Sequence, residues 1–241
     1  MPLLPPGDAH VWIACRPPAQ EPFAEAALSR EERDRARRFQ FAEHRLAYEF
    51  AHGVLREVLG GYLERPPGDI RFRENSFGKP FLDEADGDRA VEFNLSHAGR
   101  VVLIGVCRGR RIGIDVEEIR AVDDLAGICE SCFTSRETAF IFRQPGAERM
   151  RAFFRCWTRK EAYVKALGMG LSIPLHSFDT LIDHELPCGF VEGGYGSEDG
   201  ATWQVSDLDA PEGYAAAIAL ERGAAHLTCF DYQPSLAKEQ S

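Results

Sequence analysis

Three acidic residues in two short segments have the spacing expected of a metal site. Residues 112–117 form a strand-like segment whose alternation places Asp115 and Glu117 on one face and three aliphatic side chains on the other. A predicted helix at residues 149–167 carries Glu161 about 40° from the centre of its apolar stripe. Mg²⁺ prefers carboxylate oxygens and often binds substrate phosphates as well. The three carboxylates therefore predict a divalent metal site. The alternatives are a solvated strand face and an ion pair within the helix.

Lysine is rare in this chain, and two of the lysines lie beside Glu161. Of the 28 basic residues, 24 are arginine and four are lysine: Lys79, Lys160, Lys165 and Lys238. A lysine in an arginine-rich chain marks a place where a compact, mobile ammonium suits the contact better than a planar guanidinium. We therefore predict that Lys160 and Lys165 contact the phosphates of an anionic substrate.

A third candidate segment, at residues 93–97, reads Phe-Asn-Leu-Ser-His at the end of a predicted strand. Asn94 and Ser96 share one face of that strand, and His97 begins the predicted turn. Donor-rich side chains at a loop tip suit a phosphate or nucleotide contact. A histidine in a turn is more often structural, so this segment has weight only beside the other two.

The composition restricts the class of protein. A chain of 241 residues with 44% hydrophobic and 27% charged residues is typical of a globular protein. Its apolar runs are shorter than the roughly 20 residues of a membrane span, and no secretory signal is expected. Seven irregularly spaced cysteines favour a reducing cytoplasm. The net charge of −10 argues against a nucleic-acid partner, although the local excess of arginine at residues 33–45 suits a small anion.

The elements that must position these residues alternate between helix and strand. We predict strands at residues 10–15, 70–73, 91–95, 101–106, 112–117, 178–181, 202–205, 214–220 and 227–232, and helices from Ser29, over 43–63, from Thr134 and over 149–167. This order predicts an α+β fold with a division near residues 108–111, into halves 1–109 and 110–241. No GxxxxGK[ST], GxGxxG or GxSxG motif is present, so the common phosphate loops and the serine-hydrolase turn are not expected.

The candidate segments occur in an order that resembles the Sfp-type 4′-phosphopantetheinyl transferases. The motifs are Gly78-Lys79-Pro80, residues 93–97, residues 112–117, and residues 157–165 continuing through Gly168-Met169-Gly170-Leu171 to Pro174. The arginine-rich stretch at residues 33–56 also resembles the N-terminal half of that family. Each motif is modest alone, but four in order are specific.

The resemblance implies two pseudo-symmetric α+β halves with the active site in the cleft between them. It implies a cytoplasmic monomer that moves the 4′-phosphopantetheine arm of coenzyme A to a serine of an apo acyl or peptidyl carrier protein and releases adenosine 3′,5′-bisphosphate. By the same resemblance, Mg²⁺, or Mn²⁺ in its place, is held by Asp115, Glu117 and Glu161. The carrier is expected to dock around residues 119–142.

The resemblance also implies a set of coenzyme A contacts: Arg45, Arg56, Lys79, Ser96, His97, Lys160 and Lys165. Glu161 and Lys165 are the expected catalytic residues, and Lys79 and His97 lie nearer the nucleotide. In the N-terminal helix of the family, an acidic residue followed directly by an arginine is commonly succeeded, two positions later, by a second arginine. Here that pair reads His44-Arg45 and the later position is Ala47, so Arg45 or Arg56 takes the contact. Two other readings stay open: another Mg²⁺-dependent nucleotide transferase or hydrolase, and a non-catalytic module that binds coenzyme A or a carrier.

Overall fold

The structure, a computed structural model, describes residues 1–17, 27–83, 91–180, 188–191, 202–224 and 226–233. Its strands are β1 (Ala9–Cys15), β2 (Phe72–Glu74), β3 (Pro80–Leu82), β4 (Val91–Ala98), β5 (Val101–Arg108), β6 (Ile112–Glu118), β7 (Cys188–Phe190), β8 (Trp203–Asp207), β9 (Tyr214–Glu221) and β10 (Leu227–Asp231). Its helices are α1 (Arg30–Ala36), α2 (Ala42–Leu63), α3 (Leu125–Cys132), α4 (Ser135–Arg143) and α5 (Gly146–Leu167). The predicted α+β class is confirmed.

Two four-stranded sheets and two 22-residue helices stack as four layers. Helix α2 covers the outer face of the first sheet, in the order β10-β1-β5-β4, and packs Phe50 and Val54 against Ile104. The inner faces of the two sheets share a core that includes Leu103 and Ile114. Helix α5 covers the outer face of the second sheet, in the order β6-β9-β8-β7. Burial of apolar side chains between these layers is the main stabilising contribution.

The two sheets meet where β4 lies beside β6. The Ile114 N–H donates to Asn94 Oδ1 at 2.8 Å, and the Val116 N–H donates to Ser96 Oγ at 3.3 Å. Strand β6 is at the edge of the second sheet, and a buried edge must satisfy its backbone donors. Side chains of β4 thus take the place of a further strand, and they hold the first sheet against β6.

One strand crosses the predicted division of the chain at residues 109 and 110. Strand β10 belongs to the predicted half 110–241 but pairs in parallel with β1, in register from Ala9↔Leu227 to Ile13↔Asp231. The second half therefore returns to complete the first sheet. Strand β10 pairs the outer backbone groups of β1 and becomes the edge strand of the sheet itself.

Several local predictions differ from the structure in extent. Strand β4 continues to Ala98, so His97 pairs with Val102 on a strand instead of beginning a turn. The predicted strand at residues 178–181 is absent from its described part, residues 178–180, and its last residue lies outside the described chain. Among the helices that the structure describes, none combines the length and hydropathy needed to cross a membrane.

Candidate active site at the joint of the two sheets

Strand β6 and helix α5 approach so closely at Gly113 that no side chain fits there. A Cβ atom on Gly113 would lie 2.0 Å from the Ala162 carbonyl oxygen and 2.3 Å from the Ala166 nitrogen. The next side chain on the same face of β6 is Asp115, which therefore points at the last turns of α5. The absence of a side chain at Gly113 is what brings the strand acid and the helix lysine together.

The centre of the site is a three-residue cluster. The Lys165 ammonium donates to Asp115 Oδ1 at 2.5 Å and to Ser96 Oγ at 2.9 Å, and the Ser96 hydroxyl donates to Asp115 Oδ1 at 3.0 Å. Asp115 is only 2% exposed, and its second oxygen, Oδ2, is buried with no hydrogen-bond partner. Burial raises the pKa of Asp115, while the Lys165 charge and the hydrogen bonds oppose that rise.

Glu117 and Glu161 face the same electrostatic environment as Asp115. Partial burial raises the pKa of both glutamates, and the negative charge of Asp115 raises both further. Lys165 opposes the rise for both, and a hydrogen bond with Trp157 opposes it for Glu117. The three carboxylates repel one another, and the Lys165 ammonium supplies only one positive charge to balance them.

A divalent cation fits the donor chemistry of this cluster. The partnerless Asp115 Oδ2 and the mutual repulsion of the carboxylates are what a cation would relieve. In the described residues, however, no three His, Cys, Asp or Glu side chains are already arranged around one point as metal ligands. The Lys165 ammonium lies 2.5 Å from Asp115 Oδ1, where a metal ion would otherwise bind.

A cavity of 1340 Å³ opens on the N-terminal side of the cluster. It is lined by α1, α2, residues 68–83 and the end of β4. Its basic lining side chains are Arg30, Arg33, Arg35, His52, Arg56, Arg71, Arg73 and His97. Five carboxylates also line it: Glu31, Glu32, Asp69, Glu74 and Asp83. Six arginines against five carboxylates leave a small excess of positive charge, and two histidines add hydrogen-bonding groups, so the cavity suits an anionic ligand such as a nucleotide.

Arg56 lines this cavity but is already bound to protein oxygens. Its Nε donates to Glu32 Oε2 at 2.5 Å, and Nη1 donates to the carbonyls of Pro67 and Ile70 at 2.8 and 2.9 Å. Burial opposes ionisation of Glu32, but hydrogen bonds from His52 and Arg56 lower its pKa to about 2. Arg56 therefore shapes the wall of the cavity and holds Glu32 next to His52.

His97 and Arg45 have different surroundings. His97 is exposed to the cavity, yet the nearby protein partly desolvates its ring, so that its pKa is lowered, with further lowering by His52 and Lys165. Arg45 is exposed on α2, with its Nε 3.8 Å from Glu49. It is absent from the lining of the cavity, so the structure brings His97 but not Arg45 to this site.

The expectation that Lys79 contacts the nucleotide does not agree with its position. The Lys79 ammonium donates to the carbonyls of Ile112 on β6 and Ala166 on α5, at 3.0 and 3.2 Å. Burial lowers the pKa of Lys79, and the charge of Glu92 opposes this. A lysine near a helix C-terminus satisfies terminal carbonyls and complements the helix dipole. Lys79 therefore joins the N-terminal half to α5.

We expect Lys79→Met to lower the free energy of unfolding by about 1–3 kcal/mol, because two largely buried carbonyls lose their donor. Urea unfolding followed by circular dichroism measures this loss. The coenzyme A KM is expected to stay within twofold of the wild-type value. A raised KM with unchanged stability would instead show a direct contact with the coenzyme.

Lys160, which was expected to contact phosphate, lies inside the protein. Its side chain is 0% exposed, lies 2.8 Å from Glu137 Oε2, and donates to the carbonyls of Leu175 and Phe178. All three ammonium protons are thus used inside the protein. Burial lowers the pKa of Lys160, and the Glu137 charge opposes this. Lys160 fixes α5 against α4 and the segment that follows α5.

Lys160→Met should therefore act on stability. The variant leaves the Glu137 carboxylate buried without its cation, and we expect a loss of about 3 kcal/mol in the free energy of unfolding. The matched control is Arg151→Met on the exposed face of the same helix, for which no measurable loss is expected. A Lys160→Met protein with wild-type stability and weakened coenzyme A binding would contradict this assignment.

Sequence reasoning missed several residues of the site. Arg71, just before β2, and Arg73, on β2, line the cavity, and their alternate spacing in Arg-Phe-Arg was the available signal. His52 and Glu32 form a pair at 3.2 Å across two helices, for which no local pattern exists. Asn94 borders the cavity, but its side-chain oxygen accepts a hydrogen bond from the Ile114 N–H of β6.

Fold and candidate site together describe an α+β protein in which a cluster of carboxylates and one lysine lies where two sheets meet. Residues 111–219 match the family model of the 4′-phosphopantetheinyl transferase superfamily, and residues 16–108 match that of the 4′-phosphopantetheinyl transferase N-terminal region. The chain belongs to the 4′-phosphopantetheinyl transferase superfamily. The predicted resemblance and the prediction of an enzyme of this type are confirmed.

Individual relatives agree with this assignment. The 4′-phosphopantetheinyl transferase HetI of Nostoc sp. is 39% identical over 170 residues, covering 68% of this chain and 70% of the relative. A phosphopantetheinyl transferase of Thraustochytrium sp. is 27% identical over 238 residues, covering 92% and 81%. The transferase Sfp of Bacillus subtilis is 28% identical over 158 residues, covering 66% and 68%. The similarity extends over both halves of the chain.

Proposed function

We propose that this protein transfers the 4′-phosphopantetheine arm of coenzyme A to a serine of an apo acyl or peptidyl carrier protein, with Mg²⁺ as cofactor and adenosine 3′,5′-bisphosphate as second product. One observation carries this proposal. Ser96 and His97 are consecutive on β4, and Ser96 belongs to the Asp115–Lys165 cluster while His97 lines the basic cavity. A nucleotide in the cavity would therefore extend its pyrophosphate to the cluster.

In this reaction the carrier serine oxygen forms a bond to the phosphorus that carries pantetheine. The bond from that phosphorus to the bridging pyrophosphate oxygen breaks, and its electron pair leaves with the bisphosphate. The Lys165 ammonium, which has no buried carbonyl partner like those of Lys160, stabilises charge on the phosphate oxygens. Glu161 accepts the serine proton, because it is a carboxylate of the cluster beside Asp115 and so lies next to the reacting phosphate.

Mg²⁺, or Mn²⁺ in its place, would be held by Asp115, Glu117 and Glu161. When bound, the ion supplies positive charge that polarises phosphate oxygens. The buried Asp115 Oδ2 without a partner and the repulsion among the three carboxylates support this ligand set. The Ser96 hydroxyl and the Lys165 ammonium keep Asp115 oriented toward the same point.

A second cavity, of 370 Å³, supports carrier docking near residues 119–142. It begins at Glu117, so a carrier bound there would have its serine beside the carboxylate cluster. Its lining is mainly apolar, with Val122, Ile128, Phe153, Phe154 and Trp157, and it carries one arginine and three carboxylates at Arg120, Glu117, Asp123 and Asp124. Such a surface suits a helix that presents an apolar face. All proposed side chains come from one chain, and we propose a monomer as the active unit.

The test is to incubate the purified protein with coenzyme A, Mg²⁺ and a panel of apo carriers from fatty-acid, polyketide and nonribosomal-peptide assembly. A mass gain of one phosphopantetheine arm on a carrier serine, with equimolar adenosine 3′,5′-bisphosphate, is the expected result. The gain should be lost in EDTA and restored by Mg²⁺ or Mn²⁺. Bisphosphate without carrier modification would indicate a nucleotide hydrolase, and binding without any product would indicate a non-catalytic module.

A further inference from the structure

Lys165 occupies the place where the acidic cluster needs a cation. Its ammonium lies 2.5 Å from Asp115 Oδ1, and this is the one ion pair of Asp115 within the described part of the chain. The flanking acids, Glu117 and Glu161, add negative charge on either side. A carboxylate that is 2% exposed is costly to ionise without such a partner.

The same ammonium would compete with a metal ion for Asp115. A divalent cation on Asp115 Oδ1 would compete with Lys165 for the lone pairs of that oxygen, and two cations a few ångströms apart repel each other. Asp115 Oδ2 is still without a partner, so the carboxylate is only half used. This arrangement agrees with the absence of an assembled three-ligand group among the described residues.

The Lys165 ammonium can also move away from Asp115. Its side chain is 32% exposed, whereas that of Lys160, five residues earlier on α5, is 0% exposed and bonded to two carbonyls as well as to Glu137. Within the described part of the chain, the hydrogen-bond partners of the Lys165 ammonium are Ser96 and Asp115 alone. A four-carbon stem with a half-open end can move its charge by several ångströms at little cost.

We propose that Lys165 is a placeholder cation: it neutralises Asp115 until a divalent ion binds, and the ion then displaces the ammonium toward the phosphates of the incoming coenzyme. This inference rests on the divalent site of the proposed function. In the free protein the metal and the Lys165 ammonium would compete for Asp115. In the substrate complex both would bind the phosphates of the coenzyme. Metal binding would thereby prepare the anion site, so that the metal binds before the coenzyme.

The test measures Mn²⁺ binding to the full chain without coenzyme A, from the electron paramagnetic resonance signal of free Mn²⁺. We expect Lys165→Met to bind Mn²⁺ at least about tenfold more tightly than the wild type, because the competing charge is gone. Lys165→Arg keeps the charge and should retain an affinity near that of the wild type. Lys165→Gln, which keeps a donor for Asp115, provides a second neutral variant if Lys165→Met folds poorly.

Thermal unfolding gives an independent readout. In EDTA, Lys165→Met and Lys165→Gln should melt at a lower temperature than the wild type, and saturating Mn²⁺ should raise their melting temperatures by more than that of the wild type. Wild-type Mn²⁺ binding without tightening in either neutral variant would overturn the placeholder role and leave the metal site intact. If no form of the protein binds Mn²⁺, the placeholder role and the metal of the proposed function both fail, whereas carrier modification in EDTA would still be measurable.

Discussion

Glu161→Ala is expected to lower the rate of carrier modification by at least about a thousandfold, because one side chain supplies both a metal ligand and the proposed proton acceptor. The variant should remain folded. Burial and the charges of Asp115 and Glu117 disfavour the ionised form of Glu161 in the metal-free protein, so its removal relieves a repulsion. The measurement is the initial rate of carrier mass gain, with the free energy of unfolding determined in parallel.

Two further variants sharpen this result. Glu161→Gln keeps the shape of the side chain and should lose as much activity as Glu161→Ala, since charge and not volume is needed. Glu148 lies on the same helix, and its side chain is 63% exposed, so Glu148→Ala should have the wild-type rate. Turnover by Glu161→Ala close to the wild-type rate would refute the assignment of Glu161.

Gly113→Ala is expected to lower the free energy of unfolding by more than about 4 kcal/mol, which is exceptional for the addition of one methyl group. The added carbon would lie 2.0 Å from the carbonyl oxygen of Ala162, and backbone on both sides must move to accept it. Any protein that still folds should have lost activity, since displacement of α5 separates Glu161 from Asp115 and Glu117, with which it is proposed to hold the metal. Urea unfolding and the carrier assay measure the two effects.

The matched control is Gly105→Ala on strand β5, which belongs to the facing sheet. Its added carbon would meet the Cδ1 atom of Ile112 at 2.8 Å, and the end of a flexible side chain can move. We expect a loss of only about 1–2 kcal/mol there and no specific effect on the rate. Equal stability losses in the two variants would show that the close approach of β6 and α5 is not special.

Local patterns predicted the parts of the site that depend on local geometry. The alternation in residues 112–117 placed Asp115 opposite the aliphatic side chains, and the structure confirms this, with Ile114 in the core between the sheets. The predicted helix at 149–167 is observed as Gly146–Leu167, and capping boxes are present at Ser29 and Thr134 as their spacing predicted. Period and capping are properties of neighbouring residues, so one chain segment suffices to read them.

The direction of each lysine was harder to predict. Lys160 and Lys165 are five positions apart, which places them about 140° apart around a helix, so one face cannot present both to the same ligand. Glu161 and Lys165 are about 40° apart and do face the same cluster. The helical wheel already separates the two lysines, but which of them faces the carboxylates depends on how α5 rests on its sheet.

The sequence by itself determined the family, the α+β class, the acidic face of β6 and the helix that carries Glu161, because motif spacing and hydrophobic period are local properties. Only the tertiary structure decided that Lys79 caps α5, that Lys160 neutralises Glu137, and that β10 returns to the first sheet. It also placed Asn94 and Ser96 on the open edge of β6. Those partners are 20 residues or more apart in the chain, and buried polar groups choose them by proximity after the layers have packed.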